Sequence, residues 1–231
     1  GLTARRLALR YTSIAFGALQ VFVLAIFDPL AGILLAFQSR QVKFTSLILL
    51  ESLPSLLSTL TMLFYLRHDA GKKTFSKWLL LSSIMLGITA AAKYVYAIVG
   101  IAIVIDQIWN DRRNFFPTLI WGMLALAVFF LFDPYLWNDT FMRLNASLLY
   151  HFNYAAQQTQ EPAWQPLLTL TLSLVAHPSA YFFRADEAIA LFALFGFKKT
   201  YQQNRAVVIW FALALIFLLI WQTKWQHYIL L

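Results

Sequence analysis

Cysteine is absent from the 231 residues, which rules out disulfides, thiol nucleophiles and cysteine-ligated metal and fits an oxidising or outward-facing setting. Charge is scarce too. Only 12% of residues are charged against 61% hydrophobic, and the mean hydropathy is +0.67, so the composition is that of a membrane protein. There is no GxGxxG and no GxxxxGK[ST], which argues against nucleotide-driven chemistry in this stretch. The four histidines show no metal-ligand spacing, so no protein-only metal cluster is expected. No internal repeat, low-complexity tract or signal-peptide layout is apparent. The chain starts at Gly1 without a methionine and stops at HYILL within an apolar pattern, and is expected to be a fragment of a longer protein.

What is present in abundance is apolar sequence in lengths suited to a bilayer core, which takes about 17–25 residues per helix. Such segments lie near 11–27, 29–38, 44–66, 78–92, 94–109, 116–132, 187–197 and 206–222. They leave no room for a sizeable soluble domain. The expectation is all-α: one polytopic transmembrane helical bundle over 1–231 with about eight membrane segments, some short and paired. The net charge of +8 sits in short clusters between apolar segments and therefore reads as a topology signal, not as a nucleic-acid surface.

Three basic turns, 67–77, 110–114 and 198–205, should share the cytoplasmic side, because short loops rich in Lys and Arg stay inside. An even number of crossings must then separate the first two. The apolar run from Trp78 to Trp109, broken by Lys93 and Asp106, is predicted to go out and return with its turn at Lys93. Each limb spans roughly 21–24 Å at 1.5 Å per residue, so Lys93 belongs at the outer head-group level. The same parity puts 133–166 and 223–228 outside. For the start of the chain two paths are open: Arg5, Arg6 and Arg10 inside with 29–38 lying flat, or Arg10 outside with 29–38 crossing back. Both leave Glu51 in the outer half of 44–66.

Glu51, Lys93, Lys224 and His227, with Arg10 under the second path, then gather at one depth. A charge on a spanning helix costs about 2.5–3.5 kcal/mol on insertion scales and usually faces a bundle interior or cavity. Cations at that depth suit a lipid phosphate, which Lys meets as a point charge and Arg with a two-pronged fork. A lone lysine near a helix end also snorkels. Trp137, Tyr150, Tyr154, Trp164, Trp225 and Tyr228 can pack on lipid or a sugar face, or serve as interfacial belt residues. His68 and His177 read as surface or cap residues, and His151 and His227 as weaker site candidates. NAS at 145–147 matches a glycosylation acceptor.

The ordered stretches LRYTSIAFGALQVF (9–22), TSLILLESLPSLL (45–57), LGITAAAKYVYAIVGIAIVIDQIW (86–109), DPYLW (133–137) and TKWQHYIL (223–230) resemble the multi-spanning GT-C glycosyltransferases. The likeness is to the protein O-mannosyltransferase and aminoarabinose-transferase group. Arg10 and Gly17 match an arginine seven residues before a glycine. Ile48, Leu49, Leu50 and Glu51 match an isoleucine-leucine-leucine-acid opening, with Glu where Asp is common. Lys93 matches a lysine at an outer turn, and Lys224 with Tyr228 a later outer helix end.

The resemblance implies that Arg10 is outside and 29–38 crosses. It further implies transfer of a sugar, mannose or similar, from a polyprenyl-phosphate carrier to a protein or glycolipid acceptor, generally with inversion, at the outer face of a prokaryotic inner membrane. Arg10, Lys93, Lys224, His227 and Tyr228 would bind the departing lipid phosphate or sugar, with Glu51 in support. The group's catalytic acid would lie in a first outer loop upstream of Gly1, so the catalytic residue within this stretch is unknown. No cofactor is evident, a divalent metal requirement stays open, and no nucleic-acid partner is expected. The competing expectations are a secondary transporter or lipid flippase using Glu51 and Lys93 as a pair, and a noncatalytic membrane scaffold.

Overall fold

The computed structural model describes residues 2–47, 51–68, 75–110, 116–158 and 185–220. All regular structure among them is helical, with no strand. The order is α1 (Leu2–Phe27), α2 (Pro29–Phe37), α3 (Ser39–Thr45), α4 (Ser52–Leu66), α5 (Lys77–Ala92), a 3₁₀ turn (Tyr94–Ala97) and α6 (Ile98–Asn110). Then follow α7 (Phe116–Phe132), a 3₁₀ turn (Pro134–Leu136), α8 (Thr140–Gln158), α9 (Ala185–Gln203) and α10 (Arg205–Ile220). Among the described residues one stretch, Thr3–Phe27, is long and apolar enough to cross a membrane, and α4 to α7 and α10 are shorter apolar helices.

Helix boundaries follow local chemistry in most places. α1 ends where Asp28 takes an extended backbone ahead of Pro29, as residues before proline do. The Asp28 carboxylate then accepts from the Leu30 and Ala31 amides at 2.9 and 3.2 Å, which caps α2 with proline in its first turn. The Ser76 hydroxyl caps α5 by accepting from the Leu79 amide at 3.2 Å. α4 begins at Ser52, not at the residue 44 expected from the apolar run. Pro54 explains this, since it has no N–H for the carbonyl four residues back and its ring crowds that turn. Residues Ser39–Thr45 form a helix of their own instead. The basic segment 198–205 differs as well: α9 runs through Gln203, and only Asn204 separates it from α10.

Helix directions follow from the cross-links. α2 and α3 return along α1, with Gln41 bonded to Gln20 at 2.8 Å and Arg10 to the Ser46 carbonyl at 3.0 Å. α1 and α4 run parallel, joined by Ser13 to Ser52 at 2.7 Å and by Gln20 to Ser55 and Thr59 at 3.0 and 2.9 Å. Such buried hydroxyl and amide pairs hold apolar helices together where apolar contact alone does not discriminate partners. α4 and α5 are antiparallel, the Ser82 hydroxyl donating to the Thr61 carbonyl at 2.9 Å. α6 turns back alongside α4, so that Tyr65 near the end of one meets Asp106 near the end of the other. The core between α4, α5, α6, α7 and α10 is built on Met62, Leu79, Val99, Ile103, Trp121 and Ala206.

Two ends result. Arg10, Ser46, Glu51, Lys93 and Asp133 lie at one, and Phe27, Arg67, Asp106, Asn110 and Arg205 at the other. The described residues of all three basic segments therefore share an end, and the turn at Lys93 falls where charge parity predicted it.

Candidate functional site

No glycine or proline announces the turn at Lys93. Its cause is tertiary. Lys93 is extended (φ −166°, ψ 113°) and ends α5, its amide still donating to the Thr89 carbonyl at 2.9 Å. The tight turn that follows brings the Tyr96 amide to the Lys93 carbonyl at 3.1 Å. This geometry aims two side chains at one carboxylate. The Lys93 ammonium forms an ion pair with Glu51 Oε1, and the Tyr96 hydroxyl donates to Glu51 Oε2 at 2.8 Å. Glu51 is 3% exposed and Tyr96 1%, while the Lys93 side chain keeps 25% of its surface. A carboxylate so enclosed is costly unless paired and hydrogen-bonded, and here both oxygens are engaged.

Around this centre, Tyr94 points the other way and donates to Asp133 Oδ2 at 3.2 Å, with its ring edge-on to Phe129 at 5.8 Å. Ser147 of α8 lies beside the same tyrosine. Arg10 is exposed and donates its Nε to the Ser46 carbonyl. Gly17, seven residues on, lets α1 approach α3: a Cβ there would meet Thr45 at 2.5 Å. Trp137 is exposed and donates its indole N–H to the Phe130 carbonyl at 2.7 Å. Tyr150 is exposed as well.

Of the residues singled out from sequence, the fold thus brings Arg10, Glu51 and Lys93 to one end. Lys224, His227 and Tyr228 lie outside the described residues, as do Trp164, Trp225 and His177, and the side chains of His151 and Tyr154. His68 bonds the capping Ser76 at 2.8 Å, in keeping with a cap role. Sequence reasoning missed Tyr96, whose only signal was a tyrosine three residues after the lysine. It also passed over Tyr94 and Asp133. Among the described residues no cluster of His, Asp or Glu suits a metal ion.

Two of the cavities among the described residues flank the bundle. An apolar one of about 400 Å³ opens between α5, α6 and α7, lined by Leu86, Ala97, Ile101, Val104, Leu126 and Phe129 among others. The second, of about 270 Å³, lies at the Arg205 end. There Asp106 accepts from Tyr65 at 2.7 Å, Asn110 at 3.0 Å and Arg205 Nε at 3.0 Å. Arg205 also donates to Asn110 and stacks over Trp109 at 5.0 Å. The network clasps α10 to α4 and α6. Comparison with protein-family models, curated proteins and solved structures gives no match.

Proposed function

We propose that this chain is part of a multi-pass membrane glycosyltransferase that moves a sugar from a polyprenyl-phosphate carrier to an acceptor at the outer face of the membrane. The observation that carries the reading is the segregation of polar groups: Arg10 and the Lys93–Glu51 pair at one end of the bundle, the basic turns at the other. Exposed apolar side chains support a lipid surround. Phe22, Ile26, Leu126, Leu131, Phe211 and Ile216 all face outward, an extent of open apolar surface that soluble monomers rarely carry.

In this reading the lipid phosphate sits at the Lys93 end and its tail runs into the apolar space beside α5 to α7. Glu51 holds the ammonium of Lys93 in place while Arg10 offers a second cation. Together they offset the charge that builds on the leaving phosphate, a role worth a few kcal/mol per well-placed group. The acceptor hydroxyl gives up its proton to a general base as it bonds to the anomeric carbon, and the lipid phosphate departs with the electrons of the broken bond. A second reading, a transporter, draws on one specific observation, the buried Lys93–Glu51 pair. Its place at one end instead of midway along the helices favours the enzyme, since transporter sites gather near the midplane.

The test uses the full-length protein in membranes with a radiolabelled polyprenyl-phosphate sugar, comparing wild type with Lys93→Ala and Lys224→Ala at matched expression. The expected result is a loss of about a hundredfold in sugar release for each variant. Full activity in both would remove the lysines from the site, and a wild type that turns over no such donor would leave transport as the better reading.

A further inference from the structure

α8 carries its polar and apolar residues on opposite flanks, and the two are turned against the usual sense for a helix packed on a protein. The polar flank faces the bundle. Thr140 donates to the Leu136 carbonyl at 2.7 Å, Arg143 donates to the Tyr135 carbonyl at 2.8 Å and lies over its ring, and Ser147 lies beside Tyr94. The apolar flank, Phe141, Met142, Leu148 and Leu149, points away from the bundle, and Phe141 keeps 90% of its surface. Only Asn145 interrupts it. A helix that gives its polar side to the protein needs another apolar medium for the opposite side.

The surrounding elements say which medium. α8 follows α7 after the short Pro134–Leu136 turn, and the last residues of α7, Leu131 and Phe132, are themselves exposed. The open apolar surface of α7 therefore continues into that of α8. Trp137 lies at the junction with its ring exposed and its indole N–H satisfied by the Phe130 carbonyl, a residue type that favours the membrane–water boundary. Asp139, in a left-handed conformation at φ 53°, redirects the chain between the two.

We propose that the apolar flank of α8 lies in the head-group layer of a phospholipid bilayer, with the helix in the plane of that layer. This rests on the membrane reading given above. The helix then passes Tyr94, the neighbour of Lys93, at the lipid boundary.

The test places single cysteines at Phe141, Leu148 and Met123 on a cysteine-free background of the full-length protein in phosphatidylethanolamine/phosphatidylglycerol nanodiscs. Each is labelled with a fluorophore and quenched by shallow or deep doxyl lipids or by aqueous iodide. Met123, exposed midway along α7, reports the membrane reading by itself. Phe141 and Leu148 should be quenched most by the shallow lipid, and to the same extent, because a helix in the plane holds both at one depth. Depths that differ by about 10 Å, the rise over seven residues, would overturn the proposal. So would quenching by iodide alone, or by neither agent, which would mean water or protein on that flank. If Met123 itself escapes the lipid quenchers, the membrane reading fails and the proposal with it. Leu149→Cys supplies a second position on the flank if either primary variant does not fold.

Discussion

Glu51 is engaged by two donors from one tight turn, the ammonium of Lys93 and the hydroxyl of Tyr96. Removing one partner of a buried pair leaves the other charge without compensation, which costs more than removing both. Lys93→Met should therefore lower stability by about 2–3 kcal/mol, the partial exposure of the lysine keeping the loss below the fully buried range. Glu51→Gln combined with Lys93→Met should recover part of it. Thermal unfolding of the four proteins in detergent gives the coupling directly; additive effects would mean that the two side chains act independently. Both charges stood out in the sequence because each interrupts an apolar run. Tyr96 did not, because a tyrosine among apolar residues has the same appearance whether its hydroxyl is buried on a carboxylate or faces lipid.

Helix packing depends on small residues at a few positions. A Cβ on Gly87 would meet the Ala125 carbonyl oxygen at 2.5 Å, and backbone cannot step aside cheaply, whereas Gly122 has nothing within 4 Å. Gly87→Ala should destabilise the α5–α7 contact by about 1–3 kcal/mol. Gly122→Ala should be neutral or stabilise by up to about 1 kcal/mol through helix propensity. Denaturant titration of the two variants separates them, and equal effects would mean that the close approach of α5 to α7 is not as described. The helices themselves were legible from apolar runs, and the cap at Asp28–Pro29 is a local signal. The start of α4 was misplaced because continuous hydrophobicity hides a proline's effect on the turn before it.

Across the whole bundle, one end gathers Arg67, Lys77 and Arg205 and the other Arg10 and Lys93. If the chain spans a membrane as proposed, an impermeant maleimide should label Asn138→Cys in intact cells and Asn204→Cys only after permeabilisation. Both residues are exposed. Labelling of both from the same side would break the topology. The turn at Lys93 was legible in the sequence, since two basic loops on one side demand an even number of crossings between them. The same parity left the start of the chain with two paths. The fold puts Arg10 at the Lys93 end, because α2 and α3 together return along α1.

The sequence alone determined that the chain is helical, where most apolar helices run, and which charges are out of place among them. Those features follow from composition and period, which are properties of neighbouring residues. Only the tertiary structure decided what meets those charges. The Glu51 pairing, the Tyr96 hydroxyl and the clasp of Asp106 to Arg205 join residues 42, 45 and 99 positions apart. No local pattern encodes such contacts, because the carboxylate takes whichever donors the packing of α4, α5, α6 and α10 brings within reach.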